Sequence, residues 1–353
     1  MVEVLPMRVT PELEYLQVKW AAHLPYAQAA ALLAEVLPIA DVISVSGLKR
    51  RVRAVGAALE FGPASRAVGA AGDQLAAQGY AAPTSVAVDS AWLKHCDPPP
   101  RQARHVNRVA GRVCFQDGRT RVYAYVHNQV TSAAARLDRF LSSSGIGAHE
   151  RVTILCDTAG EFEKAVQRTG RPLCRIVDWF HIAMKFRAIE QTALKYPGLL
   201  APNGLTIMQE IKSAKWLVWH GKAPKAVVRL KRLHDAFGLV AEERYSTLQW
   251  NLRKVWWYLR SNDSYLVNYG RRYRKGLPIS SPTAESAVNQ VVSSRMTKQR
   301  QMRWSDEGAH LLAQVRVHVL NDELQPRAMP IPLRAPKPSP RSRYDAELIK
   351  MAA

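Results

Sequence analysis

Apolar positions in the first sixty residues recur at helical spacing. In YAQAAALLAEVLP, Tyr26, Ala30, Leu33 and Leu37 share one face until Pro38 ends the run. SVSGLKRRVRAVGAALE begins after a short turn, with Leu48, Val52, Val55 and Leu59 as its stripe and Lys49, Arg50, Arg51 and Arg53 largely off it. Two designs fit this pattern: a helix-turn-helix whose basic second helix reads DNA, or a small helical bundle with a solvated basic face. The Ala- and Gly-rich stretch 61–84 reads as a linker or a loose helix, so residues 1–84 form an N-terminal helical region.

From residue 85 the period changes from helical to alternating. TSVAVDSAWL, HVNRVAGRVCF and TRVYAYVHN read as three strands, the last two joined through Asp117-Gly118 as a hairpin. A helix, SAAARLDRFLSSSG, follows and has Gly145 near its end. RVTILCD is then a short strand ending at Asp157, GEFEKAVQRTG a helix, and RPLCRIVD a strand ending at Asp178. The next helix runs from Trp179 until Pro197. Three antiparallel strands followed by strand and helix alternation predict a mixed sheet covered by helices, an α/β domain in the order of a ribonuclease H-like fold. Residues 85–197 form its first part.

Residues 198–280 interrupt the alternation with helical, basic, Trp-containing sequence, a helical insertion. Trp250, Trp256 and Trp257 there either fill the core of the insertion or stack on an unpaired base. At SPTAESAVNQVV a further helix is expected, with Ser281 as cap and Pro282 at its first position. Residues 281–321 would complete the core, and 322–353, rich in Pro and Arg, form an extended tail.

Charge narrows the class of partner. The chain of 353 residues carries a net charge of +21, and residues 181–282, with 18 basic against 6 acidic side chains, hold more than half of that excess. A polyanion such as double-stranded DNA is the expected partner, its phosphates met by basic side chains such as Lys222 and Lys225 in the insertion and Arg295 and Lys298 after it. No apolar run reaches membrane-spanning length, and no membrane partner is expected. The N-terminus lacks the pattern of a signal peptide, so a cytoplasmic location is expected. Cys96, Cys114, Cys156 and Cys174 form no CxxC pair, which speaks against a zinc ribbon or a disulfide framework.

Three acids stand where such a sheet would bring them together. Asp89 is the only acid inside the first strand, Asp157 ends the fourth, and Glu285 borders the stripe of Val288, Val292 and Met296 on the later helix. Carboxylate oxygens suit Mg²⁺, and two such ions about 3.5–4 Å apart activate the attacking and stabilise the departing oxygen of a phosphodiester. Each acid also has a plainer reading: a solvent-facing strand residue for Asp89, a helix cap for Asp157, and a first-turn acid for Glu285. Asp178 and His181, three apart at the start of a helix, are metal ligands, a site-orienting pair, or an N-cap with a structural histidine. Asp178 also competes with Asp157 as the second acid.

Several segments in order, SVAVDSAWLKHCDPP, ARHVNRVAGR, LCDTAGEFEKAV, DWFHIAMKF, KWLVWHGK and TAESAVNQVVSSRMTKQRQMRWSDEGAHLLAQVR, resemble bacterial insertion-sequence transposases of the ISKra type. These belong to the wider group related to Mutator-like transposases, and the resemblance covers about residues 10–321. It implies a DDE transposase in which Asp89, Asp157 and Glu285 hold two Mg²⁺ or Mn²⁺ ions, with Asp178 and His181 as an accessory pair. It further implies double-stranded DNA, both element ends and target, as substrate, and a homo-oligomer on that DNA in a bacterial nucleoid. In that family more sequence commonly precedes the helical region, which makes Met1 the expected start of a shortened copy. A nuclease or resolvase on the same fold, and a catalytically inactive DNA-binding regulator, are the competing functions.

Overall fold

The computed structural model describes residues 9–38, 43–61, 83–96, 105–126, 132–157, 165–240, 243–280, 289–296 and 302–326. The protein is mixed α/β, and its chain falls into two compact units: Met1–Arg66 with His310–Ala353, and Ala67–Ala309. Among the described residues no helix is long and apolar enough to cross a membrane.

The first unit contains α1 (Pro11–His23), α2 (Tyr26–Val36) and α3 (Val45–Phe61). Thr10 caps α1 by accepting from the Leu13 amide at 3.3 Å, and Pro11 takes the first helical position, where no amide is needed. Leu33, Leu48, Val52 and Val55 are buried, as their stripes require, while Leu59 is only partly covered. Arg51 departs from the basic surface expected of it. Its Nε lies 3.5 Å from Oε1 of Glu14, and the guanidinium also donates to Gln17. Glu14 and Gln17 are buried polar groups one turn apart on α1, and such groups are costly without a donor. Lys49 and Arg50 do stay exposed, and Arg53 is partly so.

The second unit is built on one sheet of five strands: β1 (Pro83–Lys94), β2 (His105–Phe115), β3 (Thr120–Val126), β4 (Thr153–Cys156) and β5 (Cys174–Val177). Their spatial order is β3-β2-β1-β4-β5, with β1, β2 and β3 antiparallel in sequence and β1, β4 and β5 parallel. The hairpin between β2 and β3 turns at Asp117-Gly118 as expected: Gly118 takes φ +83°, and Asp117 accepts from the Arg119 amide at 2.9 Å. Gly111 on β2 serves packing instead, because a Cβ there would collide with the ring of Tyr123.

One face of the sheet packs on α4 (Ala133–Ser143), where Leu137, Phe140 and Leu141 meet Val86, Val88, Val113, Tyr123 and Ile154. The other face presents Ala87, Leu155 and Ile176. Beyond β5 the chain is helical: α5 (Trp179–Ala193), α6 (Ile207–Trp219), α7 (Ala223–Val240), α8 (Ser246–Ser261) and α9 (Tyr269–Arg274). Ile182, Phe186 and Ile189 of α5 share a single core with Ile211 and Val218 of α6, Leu230 of α7, and Leu248, Leu252 and Leu259 of α8. The insertion is therefore a helical layer grown from α5. Of its three tryptophans singled out by sequence, Trp256 is buried at 9% exposure, whereas Trp250 and Trp257 stand out at 56% and 58%.

After the insertion, a π-helical turn at Asn289–Ser293 runs into a short helix, Ser294–Met296, with Val291, Val292 and Met296 buried. Arg295 cannot meet DNA as expected. It is fully buried, its Nη1 3.4 Å from the sulfur of Met302 and its guanidinium 5.6 Å from the ring centre of Trp304. The cause is helical phase: Arg295 lies three and four residues after Val292 and Val291, so it falls on the apolar stripe. The last helix, α10 (Asp306–Leu320), carries Arg316, which donates to the carbonyl of Ala22 within the first unit. All four cysteines are free thiols.

Candidate active site

Register brings Asp89, in the middle of β1, level with the acids that follow β4 and β5. Val88 of β1 pairs with Cys156 of β4, and Cys156 with Val177 of β5; this is the last row of the parallel ladder. One residue further along each chain stand Asp89, Asp157 and Asp178. Parallel neighbours lie about 4.8 Å apart, so adjacent acids in this row emerge a single strand spacing from each other. Strand alternation turns Asp89 and Asp157 away from the α4 core and onto the face of Ala87 and Leu155, the side where the insertion packs.

Asp178 is the most committed of the three. At 1% exposure it caps α5, Oδ1 accepting from the Phe180 amide at 2.7 Å and from the Ser280 hydroxyl at 2.9 Å. Its other oxygen lies 3.8 Å from Nδ1 of His181, an ion-pair contact longer than a hydrogen bond. The N-cap reading of this acid thus holds. His181 senses the whole row: Asp178 above all, then Asp157 and Asp89, hold its imidazole above the ordinary value against the opposing effect of burial.

Asp157 has a partner that local sequence did not reveal. The hydroxyl of Tyr258, on α8, donates to Oδ1 of Asp157 at 2.8 Å. Burial first, and the Asp157 charge second, push that phenol far above its usual range, so it remains a donor. Nζ of Lys185, one turn beyond His181 on α5, sits 4.2 Å from the centre of the Tyr258 ring. Beneath β5, the buried hydroxyl of Tyr269 donates to the Val177 carbonyl at 2.8 Å, which ties α9 to the strand end.

Asp89, Asp157, Asp178 and His181 are therefore gathered at the end of the parallel β1-β4-β5 ladder. Glu285 and Lys298 lie outside the described residues. Lys222 and Lys225 are exposed on the insertion, while Lys49, Arg50 and Arg53 belong to the first unit. Among the described residues no three His, Cys, Asp or Glu side chains form a group able to hold a metal ion. Two carboxylates on adjacent strands still fit Mg²⁺, which commonly keeps several waters beside one or two protein acids.

Compared with known proteins, the chain matches no protein-family model and no curated protein.

Proposed function

We propose that the chain is a DDE transposase with a ribonuclease H-like core, cutting DNA at the ends of an insertion sequence and joining them to target DNA. The single observation behind this reading is the level placement of Asp89, in the middle of β1, and Asp157, just after β4, one residue past the last paired row of these adjacent parallel strands in a β3-β2-β1-β4-β5 sheet. Glu285 is the third acid. Ser280 is held on Asp178, and the Ile279 carbonyl accepts from the Trp179 amide at 3.0 Å.

In the reaction, water attacks a phosphodiester at the element end, the bond from phosphorus to the 3′-oxygen breaks, and a 3′-hydroxyl is released. That hydroxyl then attacks a phosphate of the target strand and displaces the target's own 3′-oxygen. Asp89, Asp157 and Glu285 would hold Mg²⁺ or Mn²⁺, which activates the attacking oxygen and stabilises the leaving one. Tyr258 orients Asp157 through its hydrogen bond, and Asp178 caps α5 so that His181 faces the same edge. The basic insertion holds the DNA backbone by displacing counterions, and joining two ends calls for a homo-oligomer on the DNA.

The decisive experiment mixes the purified chain with labelled duplexes made from the DNA on either side of its coding sequence, a supercoiled plasmid, and Mg²⁺ or Mn²⁺. Joined products are expected, and Asp89→Asn and Asp157→Asn should each abolish them. Cleavage with no joined product would replace this reading with a nuclease. DNA binding with neither reaction would leave a regulator.

A further inference from the structure

A cavity of about 770 Å³ opens in the insertion between α6, α7 and the loop before α6. That volume lies within the range of small-ligand sites. Its walls are unlike in character. Pro202, Leu217 and Val228 supply apolar surface, and four cations, Lys222, Lys225, Arg229 and Arg232, are spaced at i, i+3, i+7 and i+10, so they follow one face of α7 and the turn before it.

One acid lies among these cations. Glu210 lines the cavity at 4% exposure. Its Oε1 accepts from Asn203, whose own Oδ1 accepts from the Leu205 amide at 3.2 Å. Oε2 stands 3.5 Å from Nε of Arg229 but has no hydrogen-bond donor among the described residues. Arg229 is further occupied by the hydroxyl of Ser213. A buried carboxylate oxygen left without a donor is costly, and a ligand N–H placed there would recover that cost. Lys222, Lys225 and Arg232 have no acidic partner among the described residues, so they offer an anion the contacts that Arg229 does not.

We infer that this cavity is a nucleotide site, in which a base N–H donates to Glu210, the base lies against Pro202, Leu217 and Val228, and the phosphate is met by Lys222, Lys225 and Arg232. One molecule combining a flat, partly apolar body, an N–H donor and a negative charge matches all three walls. The same chemistry is carried by a free mononucleotide and by a nucleotide swung out of a DNA duplex. The site goes beyond the strand-transfer reading and needs no divalent metal.

The test is therefore made on the full chain in EDTA. Isothermal titration with dGMP, deoxyguanosine and inorganic phosphate is compared with anisotropy of two labelled duplexes, one fully paired and one with a single unpaired guanine. dGMP should bind more tightly than deoxyguanosine or phosphate, and Lys225→Ala should erase most of the advantage over deoxyguanosine. Glu210→Gln, which presents a donor where an acceptor stood, should weaken dGMP roughly tenfold or more. Preference for the bulged duplex would assign the site to extruded DNA bases, and dGMP binding without that preference to free nucleotides. Lys225 is exposed, so its variant keeps the test valid even if Glu210→Gln fails to fold. Phosphate binding as tightly as dGMP, dGMP binding indifferent to Lys225→Ala, or no binding of dGMP or the bulged duplex would overturn the proposal.

Discussion

Tyr258 and Asp157 are 101 residues apart in the chain and share a hydrogen bond of 2.8 Å at the edge of the sheet. The tyrosine comes from the fourth helix of the layer that grows from α5, and the aspartate from the residue after β4. A helix with no strand of its own thus fixes one carboxylate of the acid row.

Removing that hydroxyl while keeping the ring isolates its effect. If the proposed function holds, Tyr258→Phe lowers strand transfer about 10–100-fold, as loss of an outer partner does for metal-ligating carboxylates. Thermal melting should move little. Wild-type activity in this variant would show that Asp157 is oriented by something else.

His181 predicts a pH dependence. Asp178, then Asp157 and Asp89, raise its folded value above the ordinary 6.5. A raised value contributes stability that is complete below the unfolded value and drains away as pH climbs through the folded one. In metal-free buffer the wild type should lose stability as pH rises above the ordinary imidazole value of 6.5, a loss that His181→Gln does not show. An NMR titration placing the imidazole at or below 6.5 would contradict this.

Arg51 and Lys49 are two residues apart on α3 and should behave oppositely. Arg51→Ala leaves the buried Glu14 and Gln17 short of a donor, at a cost of about 1.5–3 kcal/mol. Lys49→Ala, on the exposed face, should change stability by no more than about 0.5 kcal/mol. Chemical denaturation of the two variants distinguishes them, and equal losses would mean that the Arg51 contact contributes nothing.

Adjacent tryptophans on α8 give a similar contrast. Trp256→Ala removes a core side chain and should cost about 3–5 kcal/mol. Trp257→Ala loses no core packing and should leave the denaturation midpoint nearly unchanged. A large loss at Trp257 would place it in a contact that its exposure does not suggest.

Much of this was legible along the chain because the relevant forces act over a few residues. The five strands, the turn at Asp117-Gly118 and the helix beginning after Asp178 appear where alternation, glycine and capping chemistry put them. The basic residues were harder to place. Lys49 and Arg51 carry the same charge in one run, and only the position of Glu14 on another helix turns one of them inward. Arg295 is hard to place for a related reason: its charge points to a surface, while its phase on the Val291 and Val292 stripe puts it inside. Nor does anything near Tyr258 or Glu210 in the chain announce a role, since the groups they face come from other elements.

The amino-acid order alone settled the five strands, the helices after Ser132 and Asp178, and that an acid follows β4 and β5, because propensity, periodicity and capping depend on near neighbours. The folded molecule alone decided that Asp89, Asp157 and Asp178 stand in one row, that Tyr258 serves Asp157, and that Glu210 lies buried among cations. Strand register and helix packing join residues 101 positions apart, as for Tyr258 and Asp157, and as many as 294 apart, as for Arg316 and Ala22, and that choice is made by the fit of whole surfaces.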